Sequence, residues 1–286
     1  GRLDSESLFG EEFTPKAGVL WRPTSQLALR ATYSHGYKVP NLQQLFEPDE
    51  TWQTRFFPPY PVDPVTGQEL SGDIDVRQGG NPNLNPEKSR SWSAGVIIEP
   101  ARLAGLSVSV DFFDIDYRDK VSGFIREQEI LDFFPERVQR DPVTNFVTLI
   151  DRRAINLSTA HARGVDLRVR HRFHTASHGA FDAQLNYTYN ITSTQQNTPT
   201  SEVIENVDTI YFPRVRGNAY VFWTYGGLEI GPTLTYESST ANTWLFGGAT
   251  APVRVQHALV ADLQGSYDFD VLGIGNHWTQ GLKFTL

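Results

Sequence analysis

The sequence predicts an all-β protein, a meander of about ten long antiparallel strands, and three observations predict it. Hydrophobic residues recur with a period of two over stretches much longer than an ordinary strand. The connections between those stretches alternate between short and long. No amphipathic helical pattern is present to cover the apolar face that the strands create.

The period is clearest in Phe181 to Thr192, where every odd residue is apolar and every even residue polar. Twelve residues of strict alternation exceed the 4–8 that mark a half-buried strand. Gly164 to His171 repeats it, with Val165, Leu167 and Val169 against Asp166, Arg168 and Arg170. Val253 to Phe269 does so again. Ten strands follow, at about 13–22, 27–40, 88–99, 106–121, 155–172, 180–194, 211–224, 228–238, 253–269 and 277–286. The segment from Lys120 to Ile150 has room for short strand pieces that the pattern does not place.

Short turns fall at 23–26, 100–105, 173–179, 225–227 and 270–276, and long connections at 41–87, 122–154, 195–210 and 239–252. In an up-and-down meander, every second connection emerges on the same side. Short turns on one side and long loops on the other is the layout of an outer-membrane β-barrel, with short periplasmic turns and long extracellular loops. Strand length agrees, because a tilted strand needs about 9–11 residues to cross the hydrocarbon core. Trp21, Tyr33, Trp92, Tyr117, Tyr187, Tyr189, Trp223, Tyr236, Tyr267 and Trp278 lie near strand ends, where interfacial aromatic girdles form. A soluble sandwich or propeller predicts strands of about five or six residues with more frequent turns.

Composition narrows the function. The 286 residues carry 25 Lys and Arg against 33 Asp and Glu, a net charge of −8, which argues against a nucleic-acid partner because phosphate binding requires a basic footprint. No Cys is present, which excludes disulfides and thiolate metal sites, and no Met is present, so the sequence reads as a processed or excised piece. No run of 18 apolar residues occurs, which excludes a helical span and leaves a barrel open.

Four stretches then carry a family resemblance. "GNPNLNPEKS" followed by "SWSAGVIIEP" (80–100) resembles the loop-to-strand signature in the C-terminal half of TonB-dependent outer-membrane receptors. "LRATYSHGYKVPNLQQLF" (29–46), "LSVSVDFFDIDYRDKVSGFI" (106–125) and "INLSTAHARGVDLRV" (155–169) resemble further signatures of that family in the same order. The signature positions here are Gly80, Asn81, Pro82, Leu84, Pro86, Glu87 and Gly164. Their expected role is structural: Pro82 and Pro86 fix φ, Asn81 and Asn85 are driven extended, and Leu84 packs inward to end a long loop in fixed register.

The resemblance implies a barrel of about 22 strands closed by an N-terminal plug. It implies ligand-gated uptake energised by the TonB complex, with outer-membrane lipid around the wall. It also implies a large scarce ligand, a ferric siderophore first, with oligosaccharide or cobalamin as alternatives. Against that pattern, residues 1–286 read as a partial barrel domain without plug or TonB box, ending at a strand that resembles the penultimate one. A passive channel or adhesin, or a secreted glycan-binding β module, are the rival classes. No nucleophile elbow, phosphate loop or His-Glu-x-x-His supports catalysis, and no cofactor or metal is expected.

Candidate ligand contacts are the aromatic and charged residues of the long loops: Trp52, Arg55, Phe57, Tyr60, Trp244 and Phe246. Anionic siderophores require Arg or Lys, and glycans require aromatic platforms; the stretch 51–60 offers both. Asp73-Ile-Asp75 and Asp114-Ile-Asp116 lack the Gly and closing Glu of a calcium loop and read as solvated acids. His171, His174 and His178 surround a short turn without a fixed ligand geometry.

Overall fold

The computed structural model describes residues 1–122, 126–198, 201–242, 253–272 and 283–285. The chain opens with a hairpin of β1 (Arg2–Glu6) and β2 (Gly10–Thr14), a pairing absent from the sequence reading. β3 (Lys16–Thr24) and β4 (Leu27–Lys38) begin the meander, and the first long connection carries α1 (Leu42–Phe46), β5 (Glu50–Arg55) and β6 (Asp73–Gln78). β7 (Glu87–Ile98) and β8 (Leu106–Ser122) resume the meander. The second long connection carries α2 (Glu127–Phe133), β9 (Val138–Arg140) and β10 (Val147–Asp151). Next come β11 (Ile155–Thr175), β12 (Gly179–Gln196), the short β13 (Ile204–Glu205), β14 (Val215–Tyr225) and β15 (Leu228–Glu237). β16 (Thr240–Asn242), β17 (Val253–Val255), β18 (Ala258–Asp268) and β19 (Lys283–Thr285) complete the strands.

The large sheet runs β3-β4-β7-β8-β11-β12-β14-β15-β18-β19, each strand antiparallel to its neighbours, with β13 added against β12. Its ten path strands match the ten expected from period two, with shifted ends. The expected strand 253–269 is interrupted at Gln256-His257: β17 turns away to pair with β16, and only β18 joins the meander. The strand expected at 211–224 begins at Val215, because Thr209 and Phe212 close a local turn before it. Of 277–286, only Lys283–Thr285 lies within the described residues.

Register turns the alternation into two continuous faces. One apolar row runs through directly paired residues from Leu27 through Ile98, Val108, Val169, Leu185, Ala219 and Leu234 to Ala261. On the opposite face, a polar row runs Arg30, Gly95, Asp111, Asp166, Thr188, Arg216, Glu237. Val165, Leu167 and Val169 therefore lie on the apolar face and Asp166, Arg168 and Arg170 on the other, as the alternation requires.

The polar face is hydrogen-bonded across strands. Arg30 Nε donates to Asp111 Oδ1 at 2.6 Å, passing over β7 at Gly95, where a Cβ would stand 1.9 Å from that oxygen. Thr188 donates to Asp166 at 2.6 Å, Arg168 to Asn186 at 3.0 Å and Asn186 to Asn218 at 2.7 Å. No described helix is long and apolar enough to cross a membrane.

Candidate functional site

The long loops contain the structure that the sequence reading left unplaced. β5, β6, β10 and β9 form a second sheet, in which β10 pairs parallel to β6 although the two come from different connections. Ile74, Ile130, Leu131, Ile150 and Leu70 are buried between this sheet and α2, with Phe56, Phe134, Val138 and Val147 against them. Signals for parts of this layer are present in the sequence. Asn41-x-x-Gln44 is a reciprocal cap, Asn41 Oδ1 accepting from Gln44 N at 2.8 Å and Gln44 Oε1 from Asn41 N at 2.9 Å, and it starts α1. Asp73-Ile-Asp-Val-Arg77 alternates, with Ile74 and Val76 buried.

A buried ion pair ties the two connections together. Asp63 is 2% exposed and accepts from Arg140 through both oxygens, at 2.6 and 2.7 Å. It also accepts from Thr66 Oγ1 at 2.7 Å and Val65 N at 3.1 Å. The Arg140 guanidinium, with those donors, holds the Asp63 carboxyl far below the usual carboxylate range. Burial pushes Asp151 upward, and the bonds from Arg153 outweigh it, leaving that carboxyl lowered too. Burial pushes the Arg137 guanidinium down. Asp63 and Arg140, 77 residues apart, carry no local sequence signal for their pairing.

The 79–87 segment sits at the base of this layer. Gly80 N donates to Glu47 O and Asn81 N to Gln44 O, both at 2.8 Å, and a Cβ on Gly80 would stand 2.6 Å from the backbone at the end of α1. Asn81 Nδ2 donates to Ala154 O at 2.8 Å. Leu84, 2% exposed, packs with Leu45 and Val121. Asn85 and Asn156 exchange hydrogen bonds of 2.7 and 2.6 Å. Glu87 accepts from Val121 N at 3.1 Å and Lys38 Nζ at 3.2 Å. Pro82 is exposed and Pro86 half-buried. Gly164 lies apart, on β11 under the Phe113 ring, where a Cβ would be 2.5 Å from the ring carbon.

The candidate ligand contacts do not form one surface. Trp52 is paired with Val76, on the sheet side that carries Thr54 and Ile74, and keeps 40% exposure. Arg55 points to the other side, donating to Asp73 at 2.9 and 3.2 Å. Phe57 is the most open of them at 81% exposed, and Tyr60 is half-buried beyond Pro58-Pro59. Trp244 and Phe246 lie outside the described residues.

One sequence expectation changes and another holds. Asp114 and Asp116 are not solvated acids: Asp114 is 5% exposed and accepts from Arg163 at 2.7 Å with His161 at 3.2 Å, while Asp116 accepts from Arg90 at 3.0 Å. Asp114, Asp116 and His161 hold their ligand atoms within 4.8 Å of one another, but arginines occupy both carboxylates. His171 and His174 fall on opposite faces of β11, and His178 bonds Ser177 at 2.7 Å, so the three do not converge.

The polar face of the meander holds a cavity of about 630 Å³ lined by Arg30, Asp111, Asp166, Arg168, Asn186 and Asn218, among others. A wall that is apolar on one side and polar on the other, crowned by ordered loops at one end, is the wall of an outer-membrane receptor barrel. Residues 1–286 match the model of the TonB dependent receptor-like, beta-barrel family, and the chain belongs to that family. It is 26% identical over 122 residues to the iron-regulated outer membrane virulence protein of Vibrio cholerae, covering 43% of this chain and 15% of that one. The ferric enterobactin receptor of Pseudomonas aeruginosa superposes with a TM-score of 0.67 at 20% identity, over 93% of this chain and 34% of the other. The siderophore receptor PirA of Acinetobacter baumannii gives 0.64 at 17%, over 93% and 36%. The chain thus spans about a third of the length of these solved structures and less of the curated relative. The family and the solved structures are receptors by name, the Vibrio cholerae relative is named as an outer membrane protein, and this chain belongs to the outer membrane.

Proposed function

We propose that this chain is part of the barrel wall and extracellular loop layer of a receptor that takes up a ferric siderophore across the outer membrane, energised through the TonB complex. One observation supports the ligand class above the others. The loop layer carries exposed Trp52 and Phe57 together with Arg55 and Arg77, whose guanidinium groups stay partly exposed while paired with Asp73 and Asp49. Guanidinium groups suit an anionic ferric chelate, and the relatives are named for iron or for siderophores. Trp52, Arg55, Phe57 and Tyr60, with Trp244 and Phe246, are proposed contacts, and the 79–87 segment is proposed as the structural base that holds their loops.

The test uses the full-length protein. Ferric catecholate and hydroxamate siderophores are titrated against it, and an iron-starved strain relying on it is grown on each as sole iron source. Binding and growth with at least one ferric siderophore is the expected result. Growth on an oligosaccharide or cobalamin alone, with no ferric siderophore bound, overturns the ligand class. Changing Trp52 and Tyr60 together to Ala is expected to weaken binding by more than about tenfold, given how aromatic anchors dominate interfaces.

A further inference from the structure

The apolar face of the sheet changes character at one level, and it does so in register across four strands. Directly paired residues on β4, β7, β8 and β11 form rows. Leu29, Val96, Val110 and Leu167 make one row, and Ala31, Ala94, Phe112 and Val165 the next towards the loops. The third row is Tyr33, Trp92, Asp114 and Arg163, and the fourth His35, Arg90, Asp116 and His161. Lys88 and Arg118 pair in the row beyond, beside Tyr37. Two residues along a strand advance about 6.8 Å, so hydrocarbon chemistry gives way to aromatic and then cationic chemistry within two rows. That is the sequence of environments across a membrane–water boundary, read on the side of the wall that faces lipid.

The cations here are positioned rather than cancelled. Asp116 engages one nitrogen of Arg90, and Asp114 engages Nε and Nη2 of Arg163, which leaves further guanidinium donors on both of these partly exposed side chains. The Arg118 side chain has no hydrogen-bonded or ion-paired partner among the described residues. The acids facing the patch are Asp114, Asp116 and Glu12, which holds Lys88 at 3.1 Å. Cavities of about 570 and 250 Å³ open between these side chains, one beside Trp92, Arg163 and His161 and the other beside Lys88 and Arg118. The feature is local. At the corresponding end of β12 and β15, the same face carries Tyr189, Ile191 and Tyr236 without a cation.

We propose that this patch, Arg90, Arg118 and Arg163 above the Tyr33–Trp92 row, docks the phosphate-bearing headgroup of an outer-leaflet lipid, whose acyl chains lie against the apolar rows below. Guanidinium forks match phosphate oxygens, and the adjoining apolar belt supplies the chain-binding surface that a free anion would not use. The proposal rests on the lipid-facing reading of this side of the sheet and is independent of which ligand the receptor imports.

The test is lipid retention by the full-length protein purified in detergent and read by native mass spectrometry. The probes are bisphosphorylated lipid A, its fully dephosphorylated form, and inorganic phosphate. The wild-type protein is expected to retain lipid A, and Arg90→Ala/Arg118→Ala/Arg163→Ala to retain at least about tenfold less, while Arg168→Ala on the opposite face retains it as wild type does. Should the triple variant fail to assemble, Arg118→Glu alone, which removes no contact in the structure, is expected to show a several-fold loss. Retention unchanged in assembled triple and Arg118→Glu variants overturns the proposal. So does equal retention of dephosphorylated lipid A, which assigns the surface to aromatics alone. Displacement of lipid A by inorganic phosphate marks a general anion site and overturns it too.

Discussion

The ten-strand meander and the four-stranded loop sheet are both built from alternating β-strands, and they place their hydrophobic residues in opposite ways. In the loop layer, Ile74, Ile130 and Ile150 are closed off from solvent against one another, and Val76, the strand partner of Ile150, is also buried. In the meander, Leu29, Val110, Leu185, Val221, Leu234, Leu259 and Leu263 are all more than a third exposed. Of the eleven buried hydrophobics among the described residues, only Ala28 and Val121 belong to meander strands. The loop layer is therefore a small water-soluble fold, driven by burial of apolar surface. The meander leaves its apolar face for lipid and satisfies its polar groups on the inner side, by pairs such as Arg30–Asp111 and Arg168–Asn186. The same period of two serves both, and what differs is the solvent on the apolar side.

The sharpest way to break the contrast is at Asp63. Asp63→Ala leaves the half-buried Arg140 without its carboxylate, and removing one partner of a buried pair costs up to about 3–5 kcal/mol. Hydrogen exchange should show the loop-layer amides unprotected while β11 and β12 stay protected, and equal loss in both regions would unite what are separated here. The same groups set a pH dependence. Asp63 and Asp151 have lowered carboxyl pKa values in the folded loops, so their stabilisation is complete above the ordinary carboxylate pKa of about 4 and is lost as pH falls below it. The loop layer should therefore open in acid before the meander does, measured by proteolysis across a pH series.

Ile150→Ala comes next. Ile150 is fully buried, and truncation of a core Ile costs about 2–5 kcal/mol, again confined to loop-layer exchange. On the meander, the sensitive change has the opposite chemistry: Leu167→Arg places a charge on the lipid side at roughly 2–4 kcal/mol near mid-membrane, and assembly measured by heat-modifiable migration should fall. Arg168→Leu, one residue along and facing the polar cavity, should assemble normally. Normal assembly of Leu167→Arg would contradict the facing. The smallest effect is expected at the base of the loop layer. Pro82→Ala with Pro86→Ala should cost about 1–2 kcal/mol by freeing the unfolded chain, with assembly intact and ligand affinity reduced less than about tenfold. Abolished binding would move that segment into the ligand site.

What was legible locally followed from strand geometry. Period two in Phe181–Thr192 and Gly164–His171 specifies which residues share a face, and alternating connection lengths specify which ends share a side, because both are fixed by neighbours along the chain. Loop structure was partly legible: the Asn41–Gln44 cap and the alternation at Asp73–Arg77 are local signals, whereas 253–269 read as one strand because nothing in its pattern marks the departure of β17.

The sequence by itself thus determined the meander, its two faces and the family that its motifs resemble. Only the tertiary structure decided that β6 and β10 pair in parallel, that Asp63 meets Arg140, that Asn81 and Asn85 join the two loop bases, and that Trp52 and Arg55 lie on opposite sides of one small sheet. Each of these depends on residues brought together from distant parts of the chain, and their partners are selected by packing and charge in three dimensions, which a periodic pattern does not encode.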